Sequence, residues 1–170
     1  MSSRVNGSVW NQFREALLST SEPTSLKTAV LAAHPDDETI GASLVLSRSD
    51  PAIIYLTDGA PRDSRLWPPD MQCSREEYAA TRRREAEHAV ALAGIRSGRI
   101  SWLGAADQEG IFDVAKNTGM LARFLEQRHP DVLVTHSYEG GHPDHDACAL
   151  LARMAVDLIA EDEKPALVEM

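Results

Sequence analysis

The sequence predicts an α/β domain built on a mostly parallel sheet with helices on both faces. Three observations carry this. Short runs rich in apolar and β-branched residues alternate with longer segments of helical period from Thr28 onward. The alternation is regular, which favours parallel strands joined by crossover helices. The 170 residues, 43% hydrophobic and 25% charged, suffice for one domain with a real core.

The elements follow in order. Residues 9–19, VWNQFREALLS, predict an amphipathic helix with Val9, Phe13, Ala16 and Leu17 on one stripe. It belongs to an N-terminal extension, residues 1–26, expected to pack on the sheet of a main domain over residues 27–170. TAVLAA (28–33) is the first strand, and ETIGASLVLSR (38–48) reads as one helix. AIIYLTDG (52–59) is the second strand, closed by Asp-Gly. A polar loop with prolines precedes a long helix that opens at Ser74, where Glu77 completes a capping box, and stops at Gly94. RISWLG (99–104) is the third strand. VAKNTGMLARFLEQR is a helix that ends before Pro130. DVLVTH (131–136) is the fourth strand; a glycine-bearing loop, a helix and the apolar run PALVEM complete the pattern.

The net charge of −9 and pI near 5.1 argue against nucleic acid or an anionic membrane surface as partner. Cys73 and Cys148 form no CxxC pair, so free thiols in a reducing compartment are expected. No apolar run reaches transmembrane length and no signal-peptide pattern opens the chain, so the expectation is a cytoplasmic protein without membrane contact.

Two polar clusters interrupt the apolar pattern: HPDDE at 34–38 and GHPDHD at 141–146. Each follows a strand expected to end on the same edge of one sheet, where open α/β sheets bind ligands. The clusters can therefore converge in space although more than 100 residues separate them. Imidazole and carboxylate donors suit zinc, which lowers the pKa of bound water to roughly 7 and polarises a carbonyl. A carboxylate free of metal takes a proton, and a second histidine assists an oxyanion or a leaving amine. His34, Asp36, Asp37, His142 and His145 supply these parts, and spacing alone leaves open whether Asp36 or Asp37 holds metal. A single His-Pro-Asp at a helix start also serves as a cap; the paired clusters are what point to a site.

AHPDDE followed by GHPDHDA resembles the two signatures of the PIG-L/LmbE-like zinc N-deacetylases, and the similarity runs from about Lys27 to the end. The resemblance implies a Rossmann-like fold and removal of an acetyl or other acyl group from an N-acetylglucosaminyl-type sugar or conjugate, a small-molecule partner. It implies zinc, or another divalent metal, on His34, Asp37 and His145. It makes Asp36 the general base and His142 the acid and oxyanion group, with Asp144 orienting it. Arg82 matches a substrate-binding arginine, although Arg83 and Arg84 flank it and nearby glutamates give a basic helix face its own partners. Asp107 matches an acid that reaches sugar hydroxyls, and Tyr138 is a further substrate candidate. Glu38 reads as a first-turn helix acid, Asp58 as a turn residue, and His136 as a pocket-lining residue.

The chain ends where members of that family continue, so the domain is expected to lack the family's C-terminal part, with a homo-oligomer as one way to complete the sheet. Two other readings remain: a zinc amidohydrolase acting on a non-sugar N-acyl metabolite, and a truncated zinc-binding protein without catalysis. A nucleotide-binding dehydrogenase is excluded, because the first strand is followed by AHPDDE and not by a glycine-rich phosphate cradle.

Overall fold

The computed structural model describes residues 3–19 and 24–170, with the backbone alone for residues 3–6. Residues 1–2 and 20–23 of the expected N-terminal extension lie outside the described part. Helix α1 spans Ser3–Leu18. Strand β1 (Thr28–Ala32) leads into two short helices, α2 (Asp37–Gly41) and α3 (Ser43–Arg48). Then follow β2 (Ala52–Pro61), α4 (Arg75–Leu92), β3 (Ile100–Asp107), α5 (Val114–Arg128), β4 (Val132–Thr135), α6 (Pro143–Leu158) and β5 (Ala166–Glu169).

The five strands form one sheet in the order β3-β2-β1-β4-β5, and every pair is parallel. The inner strands β2, β1 and β4 are buried on both faces, so alternate residues feed two cores. Leu31, Ile54, Leu56 and Leu133 meet α5 and α6 through Leu121, Leu125, Leu151 and Ala155. Val30, Ile53, Tyr55 and Val134 point the other way and meet α3 and α4 through Val45, Ala86 and Val90. Phe13 of α1 is buried in that second core, with Val9 and Leu17 against it.

Three details differ from the sequence pattern. The single helix expected over 38–48 breaks at Ala42, whose φ of −119° is not helical. Strands β2 and β3 run past their expected ends, to Pro61 and Asp107, since Thr57 and Pro61 still pair with Ala105 and Asp107 across two register shifts. Glu38 does stand in the first turn of α2, as the sequence reads it, but not on the surface. It is fully buried, its Oε2 has no hydrogen-bond partner among the described residues, and burial pushes its carboxyl upward in pKa.

The chain lays β1, β2 and β3 outward on one side, then crosses back to β4 beside β1. The C-terminal ends of β1 and β4 thus flank the point where the winding reverses, the place where open sheets leave a crevice.

Candidate active site at the sheet switch point

The crevice is built from the strand ends upward. Ala33, just past β1, is strapped on both sides. Its carbonyl accepts from Thr57 N–H and Thr57 Oγ1, both at 2.9 Å, and its N–H donates to His136 Nε2 at 3.1 Å. This fixes where His34 leaves the sheet. Gly59, with φ of +66°, lets Pro35 lie close: a Cβ there would stand 2.6 Å from Pro35 Cδ. The TDG segment, which lies inside β2 and not in the expected turn, thereby makes room for the first motif, and Asp58 pairs with Arg75.

His34 and Asp37 face one another at 3.2 Å (Nδ1 to Oδ2), and the His34 N–H donates to the same oxygen at 2.7 Å. From the far side of the crevice, His145 Nε2 reaches Asp37 Oδ1 at 3.4 Å. His142 begins α6 as its N-cap, with Pro143 in the first turn. Its ring lies 4.6 Å from that of His34 and 5.0 Å from that of His145, centroid to centroid. The motifs of β1 and α6 therefore share one centre.

Asp144 binds this centre to the loop after β3. It is fully buried. Its Oδ2 lies 3.1 Å from His34 Nε2 and accepts from Gln108 N–H at 2.7 Å, and its Oδ1 accepts from Gly110 N–H at 2.9 Å. The carboxylate does not engage the His142 ring, which Asp144 meets through its backbone N–H at 3.2 Å from Nδ1. Gly110 is needed for this: a Cβ would stand 2.9 Å from Asp144 Oδ1 and 2.6 Å from Leu56 Cδ2.

The remaining candidates occupy the rim. Asp107 Oδ1 lies 3.3 Å from His34 Nε2. Asp36 stays out of the cluster and pairs with Arg82 Nη2 at 2.8 Å, while the same nitrogen donates to Pro35 O at 2.9 Å. Of the three consecutive arginines only Arg82 turns this way. Arg83 lies over the Trp102 ring at 4.6 Å, and Arg84 donates to Thr81. Asp36 and Arg82 line a cavity of about 320 Å³ with Pro35, Glu38 and Thr39. Tyr138 is exposed and lines a cavity of about 500 Å³ on the flank of α6, with Ile111, Pro143, Asp146 and Leu150.

Two residues take a closer part in the site than their sequence context indicated. His136 is buried, 3.3 Å from Asp37 Oδ2, and its ring stacks on His145 at 4.0 Å. Its place directly after β4 was the available signal. Gln108 had none. Its side-chain amide lies 2.9 Å from His142 Nε2 and donates to Asp107 Oδ1 at 2.9 Å.

The electrostatics follow from this crowding. Burial opposes a charge on His34, but Asp107, Asp144 and Asp37 outweigh it and raise its pKa to about 11. Burial works against the charged form of Asp37 too, yet His136 and His34 hold it far below the usual carboxylate range. His145 is lowered, by burial and then by the neighbouring imidazoles, which favours the neutral form that binds metal.

The donor set fits a divalent cation. Three overlapping trios bring their ligand atoms within 4.8 Å of one another: His34, His142 and His145; Asp37, His136 and His145; and His34, Asp107 and Asp144. Nitrogen and carboxylate donors in this ratio suit zinc and its neighbours better than calcium or magnesium, which prefer all-oxygen shells.

Fold and site define a class: open parallel α/β proteins that carry a histidine–aspartate centre at the switch point of the sheet. The family follows from comparison. The model of the PIG-L family, GlcNAc-PI de-N-acetylase, matches residues 29–156, and the chain belongs to that family. It is 29% identical over 163 residues to mycothiol S-conjugate amidase of Streptomyces coelicolor, covering 82% of this chain and 54% of that protein. It is 30% identical to 1D-myo-inositol 2-acetamido-2-deoxy-alpha-D-glucopyranoside deacetylase 3 of Catenulispora acidiphila, covering 80% and 46%. Among solved structures it is similar to N,N'-diacetylchitobiose deacetylase of Pyrococcus horikoshii, with a TM-score of 0.64 and 26% identity over 89% of this chain and 58% of that one. The chain thus spans about half the length of the sequence relatives it matches. Among the described residues, no helix is long and apolar enough to cross a membrane.

Proposed function

We propose that this chain is a zinc-dependent N-deacetylase that removes the acetyl group from an N-acetylglucosaminyl-type sugar or conjugate. The observation that carries the reading is the meeting of His34, Asp37, His142 and His145, from two distant motifs, at one switch point. Both relatives named above by sequence act on amide-bearing conjugates according to their names, and the Pyrococcus enzyme is a deacetylase of an N-acetylated sugar. The chain's free cysteines, exposed Cys73 and buried Cys148, suit a cytoplasmic setting.

In this reading His34, Asp37 and His145 hold the zinc, with His136 steadying Asp37 from behind. Zinc at that position supplies Lewis acidity towards water and towards the acyl carbonyl. Asp36 takes the proton of the attacking water. Its carboxylate stands outside the metal cluster, with Arg82 on one oxygen, Oδ2. Arg82 keeps Asp36 at the rim and offers its other donors to the sugar. His142 presents Nε2 to the reacting amide, stabilises the oxyanion and protonates the amine as it leaves. Asp144 holds His34 and caps the frame; Asp107 receives a sugar hydroxyl, and Tyr138 extends the binding face.

The test is acetate release from a panel of N-acetylglucosaminyl conjugates by the zinc-loaded protein. Asp36→Asn is expected to cut turnover by about a hundredfold or more while leaving zinc content at the wild-type level. Acetate release unaffected by this change, or absent across the panel for the wild type, overturns the proposal.

A further inference from the structure

We infer that the Gln108 side chain is a displaceable cover that stands where the substrate's acetamide and a sugar hydroxyl go. The inference rests on the deacetylase reading in one respect, namely that an acyl amide is the group that belongs beside His142.

Three observations carry it. First, a primary carboxamide is the group held between His142 and Asp107, at 2.9 Å from each. Its contact with Asp107 is one a sugar hydroxyl can make, and its amide nitrogen occupies the place beside His142 Nε2 that an acetamide carbonyl would take. Second, the arrangement is mismatched. Both ring nitrogens of His142 face N–H groups: Asp144 N–H at Nδ1 and the Gln108 amide at Nε2. A neutral imidazole accepts at one nitrogen and donates from the other, and a charged one donates from both. Asp144 N–H is fixed in the first turn of α6, so the contact that yields is the one to Gln108. Turning the amide over only moves the mismatch, because its oxygen then faces the Asp107 carboxylate. A substrate carbonyl at Nε2 together with a hydroxyl at Asp107 removes it. Third, Gln108 is exposed at its side chain but anchored at its backbone, whose N–H is bound to Asp144 at 2.7 Å. Its φ of +71° is rare for a residue with a Cβ. The main chain is thus held in a costly conformation that aims the side chain over the site, and the side chain itself is free to swing out.

The experiment measures binding and turnover separately. Zinc-loaded wild type, Gln108→Ala, Gln108→Gly and Gln108→Met are titrated with N-acetylglucosamine by calorimetry or NMR, and acetate release is followed on the conjugate panel. Glycine suits the positive φ and guards against a folding defect in the alanine variant; methionine keeps the bulk without the amide. The expected result is tighter binding by the alanine and glycine variants, about three- to tenfold, appearing in KM and not in kcat. Equal or weaker binding in both, or no binding by any of the four, overturns the cover. A cover overturned in this way with acetate release intact leaves the deacetylase reading standing. Tighter binding without release by any variant supports the cover and removes the deacetylase.

Discussion

His34 concentrates the chemistry of the site in one side chain. Three carboxylates, Asp37, Asp107 and Asp144, stand within 3.3 Å of its ring nitrogens. Their pull against burial keeps a proton on it up to about pH 11 in the metal-free protein. A raised folded pKa adds stability that is complete below the unfolded value, near 6.5, and fades as pH climbs to about 11. Metal-free protein is therefore expected to lose melting temperature steadily from neutral to alkaline pH, a slope that His34→Gln removes. Zinc bound at His34 as proposed would displace the same proton. Calorimetry in buffers of different ionisation enthalpy is expected to show about one proton released per zinc at neutral pH, with zinc affinity rising as pH rises. At this scale the sequence was informative where a residue's neighbours along the chain set its part. HPDD and HPDH announced a cluster by composition and position alone. The first-turn place of Glu38 was legible; its burial and the partners of Asp144 were not, because the fate of a carboxylate depends on which strand or loop lies across from it. Glu38 is buried near Tyr55, and Asp144 reaches loop residues 36 and 34 positions away.

Among the elements, the strands were the most legible, since each is a compact apolar run. The helices of α4 and α5 were marked by their caps: the Ser74–Glu77 box is present, and α5 stops at Arg128. The break at Ala42 and the extension of β2 were not marked, because both answer to packing across the sheet. The loop over residues 108–113 is the least legible connection and the one on which the site depends most. It carries Gln108 directly after Asp107, the last residue of β3, and Gly110 lets it close on Asp144. Gly110→Ala is expected to cost about 1–3 kcal/mol of stability, because the added methyl meets Leu56 in the core and Asp144 Oδ1 together. Thermal denaturation measures the first effect, and zinc affinity falling in the same variant measures the second.

Over the whole molecule, the sheet order places the site. Parallel strands wound outward from β1 and then back to β4 leave one crevice, and both polar motifs open into it. Helix α6 joins crevice to core: His142 and His145 are at its start, and Cys148, Leu151 and Ala155 are fully buried behind them. A metal seated on His34, Asp37 and His145 would bridge the two halves of the sheet, so binding adds to folding stability. At a hundredfold excess over Kd the gain is about 2.7 kcal/mol, or about 5–10 °C for a domain of this size. Zinc addition is expected to raise the melting temperature by that order and EDTA to reverse it; no shift would place the centre outside metal chemistry.

The buried carboxylate of Asp144 has a consequence in time. It ties β1 through His34, the loop after β3 through two backbone amides, and the start of α6 through its own place in the helix. No one of these parts can leave without unseating the others. Opening of this frame is then a concerted local unfolding, of the microsecond-to-second class, and the Gln108 and Gly110 amides should exchange their hydrogens only through it. The exposed carboxamide of Gln108, pinned only by its tip, rotates on the picosecond-to-nanosecond scale of free side chains once its two contacts break. A slow frame and a fast cover meet in one residue, so entry to the crevice can be frequent while its chemical groups keep their places.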